Sequence, residues 1–163
     1  MIEKQAVTEL LRELRFTADL PGEALDEIAR IASVVEFPAG TPLFQEGAEN
    51  RALYIIEHGR VGLDMHVPGR GRIRVLSVGS GDVLAWSALL GEGVMTVSAT
   101  ALEPTRAVTL PAKEVLELCA RNHEIGYGLM RHLAVALAQR LVATRLQLLD
   151  LFSEPTGTDG FRS

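Results

Sequence analysis

The middle of the chain consists of short strand-like runs that alternate with glycine and proline turns, from residue 34 to residue 110. Residues 52–57 and 61–65 are two such runs, and Gly59 between them permits the positive φ of a tight hairpin. Runs at this regular interval are typical of an all-β sandwich or jelly roll rather than of βαβ units. The sequence therefore predicts a β-roll, a double-stranded β-helix or jelly roll, over residues 33–111.

Helix-forming segments flank this region on both sides. Apolar residues recur at helical spacing in residues 2–14 and again in residues 25–32, so residues 1–32 are predicted to form two N-terminal helices. Residues 112–152 are predicted to form C-terminal helices, of which the second is long. The fold class is thus mainly β with flanking helices. Residues 153–163, with one proline and two glycines, are predicted to be a disordered tail.

The long helix carries a three-then-four repeat that is typical of a coiled-coil seam. Its members are Ala134, Leu137, Leu141, Thr144, Leu148 and Leu151. A second apolar stripe occupies a neighbouring face, and we expect it to pack on the β domain while the seam meets a second copy of the chain. This arrangement predicts a homodimer with Leu137, Leu141, Thr144, Leu148 and Leu151 at its interface. In the alternative, one subunit buries both stripes.

Composition limits the classes of partner. The 163 residues suit one domain with a substantial core. The formal net charge of -5 does not favour binding to nucleic acid or to an anionic membrane. The single cysteine, Cys119, cannot form an internal disulfide and favours a cytoplasmic setting. No run approaches the ~18 apolar residues of a membrane span, so we expect no membrane contact.

Residues 79–97 stand out among the turns. Glycines at positions 79, 81, 91 and 93 flank a short apolar element at residues 86–90. Glycine adopts backbone conformations that other residues resist, so this arrangement is predicted to form the floor of a pocket. The alternative is a structural role alone, with two turns around a short core helix.

Three motifs in order carry a resemblance to a known family: FPAGTPLFQEG at residues 37–47, LYIIEHGRV at 53–61 and LSVGSGD at 76–82. Together they resemble the cyclic nucleotide-binding domain, in particular the sensor domains of the catabolite activator and fumarate–nitrate reductase regulator superfamily. The resemblance covers about residues 20–150. It implies a β-roll flanked by helices, with residues 125–151 as the dimer helix.

In that family the loop after a Gly-Asp pair is the phosphate-binding cassette, where a glutamate holds the ribose hydroxyl and an arginine neutralises the cyclic phosphate. Aligned on Gly81-Asp82, the motif puts Ala85-Trp86 where the family has Gly-Glu, and Met95-Thr96 where it has Arg-Ser or Arg-Thr. Both charged contacts are absent, and each charge-assisted hydrogen bond contributes a few kcal/mol. We therefore expect no tight binding of cyclic AMP or cyclic GMP in the usual manner, and we assign no cofactor.

The candidate ligand pocket still contains polar groups. Its predicted residues are Gly81, Asp82, Ala85, Trp86, Ser87, Met95, Thr96 and Thr144. The resemblance places Thr144 where the family contacts the base. We expect Trp86 and Met95 to fill the pocket, because unfilled apolar cavities are rare. The alternative is that the Trp86 indole stacks on a flat neutral ligand.

Arg70, Arg72 and Arg74 alternate along a strand and so project to one face. Exposed decoration of the strand is the favoured interpretation. In the alternative, one of them replaces the missing cassette arginine from another direction.

The sequence shows no nucleophile paired with a base and no cluster of metal ligands, which favours a non-enzymatic regulatory domain. The first hypothesis is a sensor of a small-molecule effector other than an ordinary cyclic nucleotide. The others are a ligand-free dimeric scaffold acting on a protein partner, and a true cyclic nucleotide-binding signalling module with atypical contacts. A winged helix-turn-helix follows the dimer helix in the superfamily's regulators. Only about a dozen residues follow Leu151 here, so we expect this chain not to bind DNA.

Overall fold

A computed structural model describes residues 4–152 and contains two antiparallel sheets of four strands each among them. The strands are β1 (Ser33–Phe37), β2 (Pro42–Phe44), β3 (Ala52–His58), β4 (Arg60–Val67), β5 (Gly71–Gly79), β6 (Val83–Leu84), β7 (Ser98–Ala101) and β8 (Thr105–Pro111). The first sheet has the order β1-β8-β3-β6 and the second has the order β2-β7-β4-β5. This is the predicted jelly roll with flanking helices.

Five helices are defined in the same part of the chain. They are α1 (Lys4–Glu13), α2 (Gly22–Ile31), α3 (Ser87–Leu90), α4 (Ala112–Arg121) and α5 (His123–Phe152). Asn122 is the break between α4 and α5, and its side-chain oxygen accepts a hydrogen bond from the Ile125 N–H at 3.2 Å. This contact caps the first turn of α5.

The first sheet is buried on both faces, and successive residues of β3 show why. Ile55 belongs to a core that β3 shares with the helices, while Ile56 belongs to a smaller core between the two sheets. Neighbouring strand residues point to opposite faces, so one strand supplies both cores. Both isoleucines are fully buried.

The larger core is continuous from the N-terminal helices to α5. It joins Leu11 of α1 and Leu25 of α2 to Val115 of α4 and Leu133 of α5. The predicted N-terminal helices are therefore part of the main core.

The β3–β4 hairpin turns at Gly59, whose φ is +111°. A Cβ atom built there would lie 2.7 Å from the Cα of Thr105, so the turn requires glycine for space as well as for conformation. This turn brings β4 into register with β7 and β5 and so forms one wall of the cavity described below.

Several element boundaries differ from those expected from the sequence. The pair Val83–Leu84 forms a strand within the predicted cassette loop, because Ile55 and Tyr54 of β3 pair with it. Helix α5 begins at His123 rather than at residue 125. The predicted tail at residues 153–163 lies outside the described residues.

The burial of the apolar side chains of helix α5 decreases along its length. Its first turns bury Ile125, Leu129 and Leu133 against the domain. Farther along, large apolar side chains are exposed over about half of their surface: Val135, Leu141, Val142, Leu146, Leu148 and Leu149. No described helix has the length and apolar character needed to cross a bilayer.

Candidate functional site

The predicted cassette encloses a small cavity of about 20 Å³ between the two sheets and α5. Its lining residues are Phe44, Leu63, Leu84, Ala85, Trp86, Ser87, Met95, Thr96, Val97 and Arg140. A space of this size holds about one water molecule. The cavity is therefore almost closed by its own side chains.

Gly81 and Asp82 form the turn that starts the cassette, and they do not line this cavity. Gly81 has a φ of +87°, and its N–H donates to the Ile56 carbonyl at 2.8 Å. The Asp82 carbonyl accepts from the Ile56 N–H at 2.9 Å, and its side chain accepts from the Gly79 N–H at 2.8 Å. The two residues thus fasten the cassette to β3.

Ala85 has a φ of 66° and is the only residue other than glycine with a positive φ among those described. It occupies the position at which the resemblance expects glycine. The left-handed conformation costs an ordinary residue about 1–2 kcal/mol. The cassette therefore keeps the backbone shape of a glycine turn while carrying a methyl group into the cavity wall.

Trp86 follows directly and precedes the first turn of α3, with helical backbone angles. Its side chain is half-buried, lines the cavity and packs against the larger core. The indole thus occupies the boundary between the cavity and the core.

Met95 closes the other side and is 2% exposed. Its sulfur accepts hydrogen bonds from the Ser87 hydroxyl at 3.8 Å and from the Asn50 side-chain amide at 3.6 Å. The Met95 main chain pairs with Gly47 and Ala48, which fixes the side chain in an inward direction. Ser87, one of the predicted pocket residues, therefore already has a partner inside the cassette.

Of the remaining predicted pocket residues, Thr96 lines the cavity although it is largely exposed, and Thr144 does not line it. The Thr144 hydroxyl donates to the carbonyls of Arg140 at 2.9 Å and Leu141 at 3.0 Å, one turn back along α5. Its hydroxyl hydrogen is therefore used within the helix.

Arg140 is a charged cavity residue that the sequence did not single out as a site residue. It reaches from α5 and donates a hydrogen bond to the Val83 carbonyl at 2.7 Å. Burial lowers the pKa of the Arg140 guanidinium, and the charge of Asp82 acts in the opposite direction. The available signal was a charged residue in a long helix of which one face was expected to pack on the β domain.

Arg72 and Arg74 have a structural role. Asp64 on β4 is only 8% exposed in its side chain and pairs with Arg74 at 2.7 Å and with Arg72 at 3.5 Å. Neither arginine lines the cassette cavity. The alternative in which an arginine of this strand replaces the missing cassette cation finds no support in these contacts.

No group of three or more His, Cys, Asp or Glu side chains among the described residues is placed to hold a metal ion. His132, for example, directs Nδ1 to the carbonyl of Phe16. The cassette instead encloses a small cavity with a mainly apolar lining.

Comparison with known proteins decides the family. The family described as the cyclic nucleotide-binding domain matches residues 34–122, which is more than half of the chain. The chain belongs to the cyclic nucleotide-binding domain family. The cyclic AMP receptor protein of Thermus thermophilus is 35% identical over 118 residues, 72% of this chain and 52% of that protein.

Two further relatives agree with this membership. A cyclic AMP-activated global transcriptional regulator of Mycobacterium tuberculosis is 30% identical over 144 residues, 88% of this chain and 62% of that protein. The crystal structure of a putative cyclic nucleotide-binding protein from Geobacter metallireducens aligns with a TM-score of 0.74 at 32% identity. The alignment covers 86% of this chain and 99% of the Geobacter metallireducens chain. The chain thus spans between half and two thirds of the length of these curated relatives, and it is a cyclic nucleotide-binding-like regulatory domain.

Proposed function

We propose that this cyclic nucleotide-binding-like domain is a non-enzymatic regulatory module whose cassette does not hold cyclic AMP or cyclic GMP in the usual way. The observation that carries the proposal is the closure of the cassette by Trp86 and Met95 to about 20 Å³. Binding sites for small molecules typically have volumes of about 300–1,000 Å³. An entering nucleotide would have to displace both side chains from their packing.

Electrostatics support the same conclusion. A buried phosphodiester anion requires a cation or several hydrogen-bond donors. Met95 supplies neither at the position where the family resemblance expects arginine, and Trp86 offers one N–H where it expects a carboxylate. Among residues 4–152, Arg140 is the one charged residue that lines the cavity, and it is bonded to the Val83 carbonyl.

The alternative of a true cyclic nucleotide-binding module with atypical contacts rests on that same arginine. If Trp86 moved outward, Arg140 would face the opened space and offer its guanidinium to a phosphate. This alternative requires breaking the Arg140–Val83 hydrogen bond and exposing part of the core against which Trp86 packs.

Titration with cyclic AMP and cyclic GMP tests the proposal. A ligand at 100 times its dissociation constant stabilises a protein by ~2.7 kcal/mol, which raises the melting temperature of a chain of this size by about 5–10 °C. We expect no such rise for the wild type at about 1 mM nucleotide, which is 100 times a dissociation constant of about 10 μM. Heats of binding with a micromolar dissociation constant for either nucleotide would overturn the proposal.

The matched control is the triple variant A85G, W86E and M95R, which installs the family's Gly-Glu pair and arginine. It opens the cavity and supplies the missing charges, so we expect nucleotide binding to appear in it. Binding by the triple variant together with none by the wild type attributes the loss to these positions.

We also propose that the domain is a homodimer through α5. The support is the exposure of Leu141 and Leu148 to about half of their surface on the predicted seam, together with the half-buried Leu137. Pairing of two such helices would remove this apolar surface from water. Signals would then pass from the cassette to the partner along the helix that Arg140 connects to β6.

A further inference from the structure

A second cavity of about 500 Å³ lies beside the closed cassette. It is bounded by the segment after α1, by the β5–β6 turn and by the middle of α5. Val83 lines this cavity and Leu84 lines the cassette cavity, so the two successive residues of β6 separate them. Arg140 contributes to both.

The charges around this cavity are mainly positive. Three arginines line it, Arg15, Arg131 and Arg140, together with two carboxylates, Asp19 and Asp82. Asp82 is engaged by Arg15 at 3.1 Å. No carboxylate among the described residues lies within 4 Å of the guanidinium of Arg131 or Arg140.

Arg140 is the better desolvated of these two cations. It is half-buried, and its pKa is lowered by burial, with only partial opposition from the charge of Asp82. Its described hydrogen bond uses one of five N–H donors. A half-buried guanidinium in this state gains from an anion placed in the cavity.

The rest of the wall is suited to an organic group. Leu76, Val135 and Ala136 provide apolar surface, while Ser77 and Gln139 provide polar groups. The volume falls within the range of small-molecule binding sites. We propose that this cavity binds a small organic anion with a phosphate or carboxylate group held by Arg140, while another part of the ligand reaches Arg131, which lies about 13 Å earlier along α5.

The proposal goes beyond the function proposed for the cassette, and it suggests how the two cavities communicate. An anion on Arg140 uses N–H donors that the Val83 carbonyl leaves free, so the guanidinium can hold both acceptors at once. Arg140 would then connect the bound anion to β6 immediately before Ala85 and Trp86. Binding in the second cavity is therefore expected to change the stability of the cassette.

Isothermal titration calorimetry of the full chain tests the site with three probes: inorganic phosphate, citrate and adenosine 5′-monophosphate. We expect at least one organic probe to bind with a dissociation constant below about 1 mM, which corresponds to roughly 4 kcal/mol. Arg131→Gln should weaken that binding by about tenfold or more, as loss of a hydrogen bond to a charged group does. Arg131 makes no described ion pair, so this variant should fold normally.

Arg145→Gln is the matched control, because Arg145 is exposed on the same helix and does not line the cavity. The control should bind like the wild type. Two results would overturn the proposal: no organic probe binds below about 1 mM, or the two variants lose affinity equally. Tighter binding of adenosine monophosphate than of citrate would identify phosphate as the group recognised, and the reverse would identify carboxylate.

A different result would contradict the proposal that the cassette does not hold cyclic nucleotides in the usual way. A cyclic nucleotide seated in the opened cassette would contact residues 85–97 and would be insensitive to Arg131→Gln. The calorimetric response of this one variant therefore separates the two sites.

Discussion

Ala85 is strained at the position where the family resemblance expects glycine, and it is also buried in the cassette wall. Its φ of 66° favours replacement by glycine, while loss of the buried methyl group and the greater freedom of glycine in the unfolded chain oppose it. Ala88, three residues farther on in α3, has no positive φ and no strain to relieve. The two positions allow the strain to be measured by difference.

We predict that Ala85→Gly changes the free energy of unfolding by less than about 1 kcal/mol, whereas Ala88→Gly lowers it by about 1 kcal/mol. Urea unfolding followed by circular dichroism gives both values. Equal losses in the two variants would show that Ala85 carries no strain.

The pH dependence of stability tests whether the Tyr54 phenol is buried. It stacks on Phe44 with ring centroids 6.1 Å apart and meets Phe37 edge-on at 6.0 Å. Burial raises the pKa of the Tyr54 phenol above its ordinary value of 10.0. Since the folded-state pKa is raised, the neutral phenol contributes its full stability below the unfolded value, and that contribution is lost as pH rises through the folded value.

We therefore predict that the wild-type melting temperature falls more steeply than that of Tyr54→Phe as pH rises above about 10. The phenylalanine keeps the ring contacts and removes the ionisable group. Parallel curves for the two proteins would contradict the assignment.

At the scale of the elements, the β4–β5 ribbon depends on one buried carboxylate. Asp64 lies opposite Arg74 in the register and is bracketed by Arg72 on the same face. Arg74 also lies over Gly62, where an added Cβ would meet its guanidinium carbon at 2.6 Å. The ion pair thus depends on the glycine beneath it.

We predict that Asp64→Asn lowers the free energy of unfolding by about 1–3 kcal/mol, because it removes the charge that two arginines share at a nearly buried position. Glu49→Gln is the control, since Glu49 pairs with Arg51 on the exposed surface. Exposed pairs contribute about 0–1 kcal/mol, so the control should change little. Chemical denaturation measures both, and a loss in Asp64→Asn no larger than in the control would contradict the prediction.

Helix α5 provides a matched pair of positions for the proposed dimer. Leu141 on the predicted seam is 53% exposed and its neighbour Val142 is 54% exposed, but one residue along a helix rotates the side chain by about 100°. Leu141→Lys should abolish dimerisation and Val142→Lys should preserve it. Sedimentation velocity measures the masses, and a monomeric wild type would contradict the prediction at once.

At the scale of the whole molecule, the N-terminal helices and the β-roll form one core. Leu11 of α1 is fully buried in the cluster that includes Ile55 of β3 and Leu133 of α5. Leu20 approaches α5 so closely that a Cβ on Gly128 would lie 2.8 Å from its methyl group. Loosening the N-terminal helices should therefore weaken the entire domain.

We predict that Leu11→Ala lowers the free energy of unfolding by about 2–5 kcal/mol while unfolding remains a single transition. Leu90→Ala, at a position that is 51% exposed, should cost far less. Near- and far-ultraviolet circular dichroism follow tertiary and secondary structure separately. Non-coincident curves would show that the N-terminal helices unfold independently.

The sequence predicted the strands and helices of this molecule because turn residues and apolar spacing act locally. Gly59 and the apolar stripes on α5 belong to that local information. The family resemblance supplied the topology, and the observed jelly roll confirms the predicted fold class. The two-residue strand β6 escaped detection because its pairing with β3 is a long-range contact.

The residues of the site were harder to predict from the sequence, because their positions also depend on long-range contacts. Position in a motif suggested Trp86 and Met95, whereas the placement of Arg140 between two cavities depends on how α5 lies across the sheet. Gly81 and Asp82 were grouped with the cassette by sequence, but hydrogen bonds to Ile56 give them a fastening role. The sequence motif therefore identified the cassette segment at residues 79–97. Which of its side chains face the cavity is determined by packing.

Trp86 is the only tryptophan in the chain, and its ring lies where the closed cassette meets the core. Its fluorescence therefore comes from a single place in the molecule and needs no attached label. A shift of the emission to longer wavelength would report entry of water around the indole. The residue that closes the cassette is thus also a built-in optical probe of its opening.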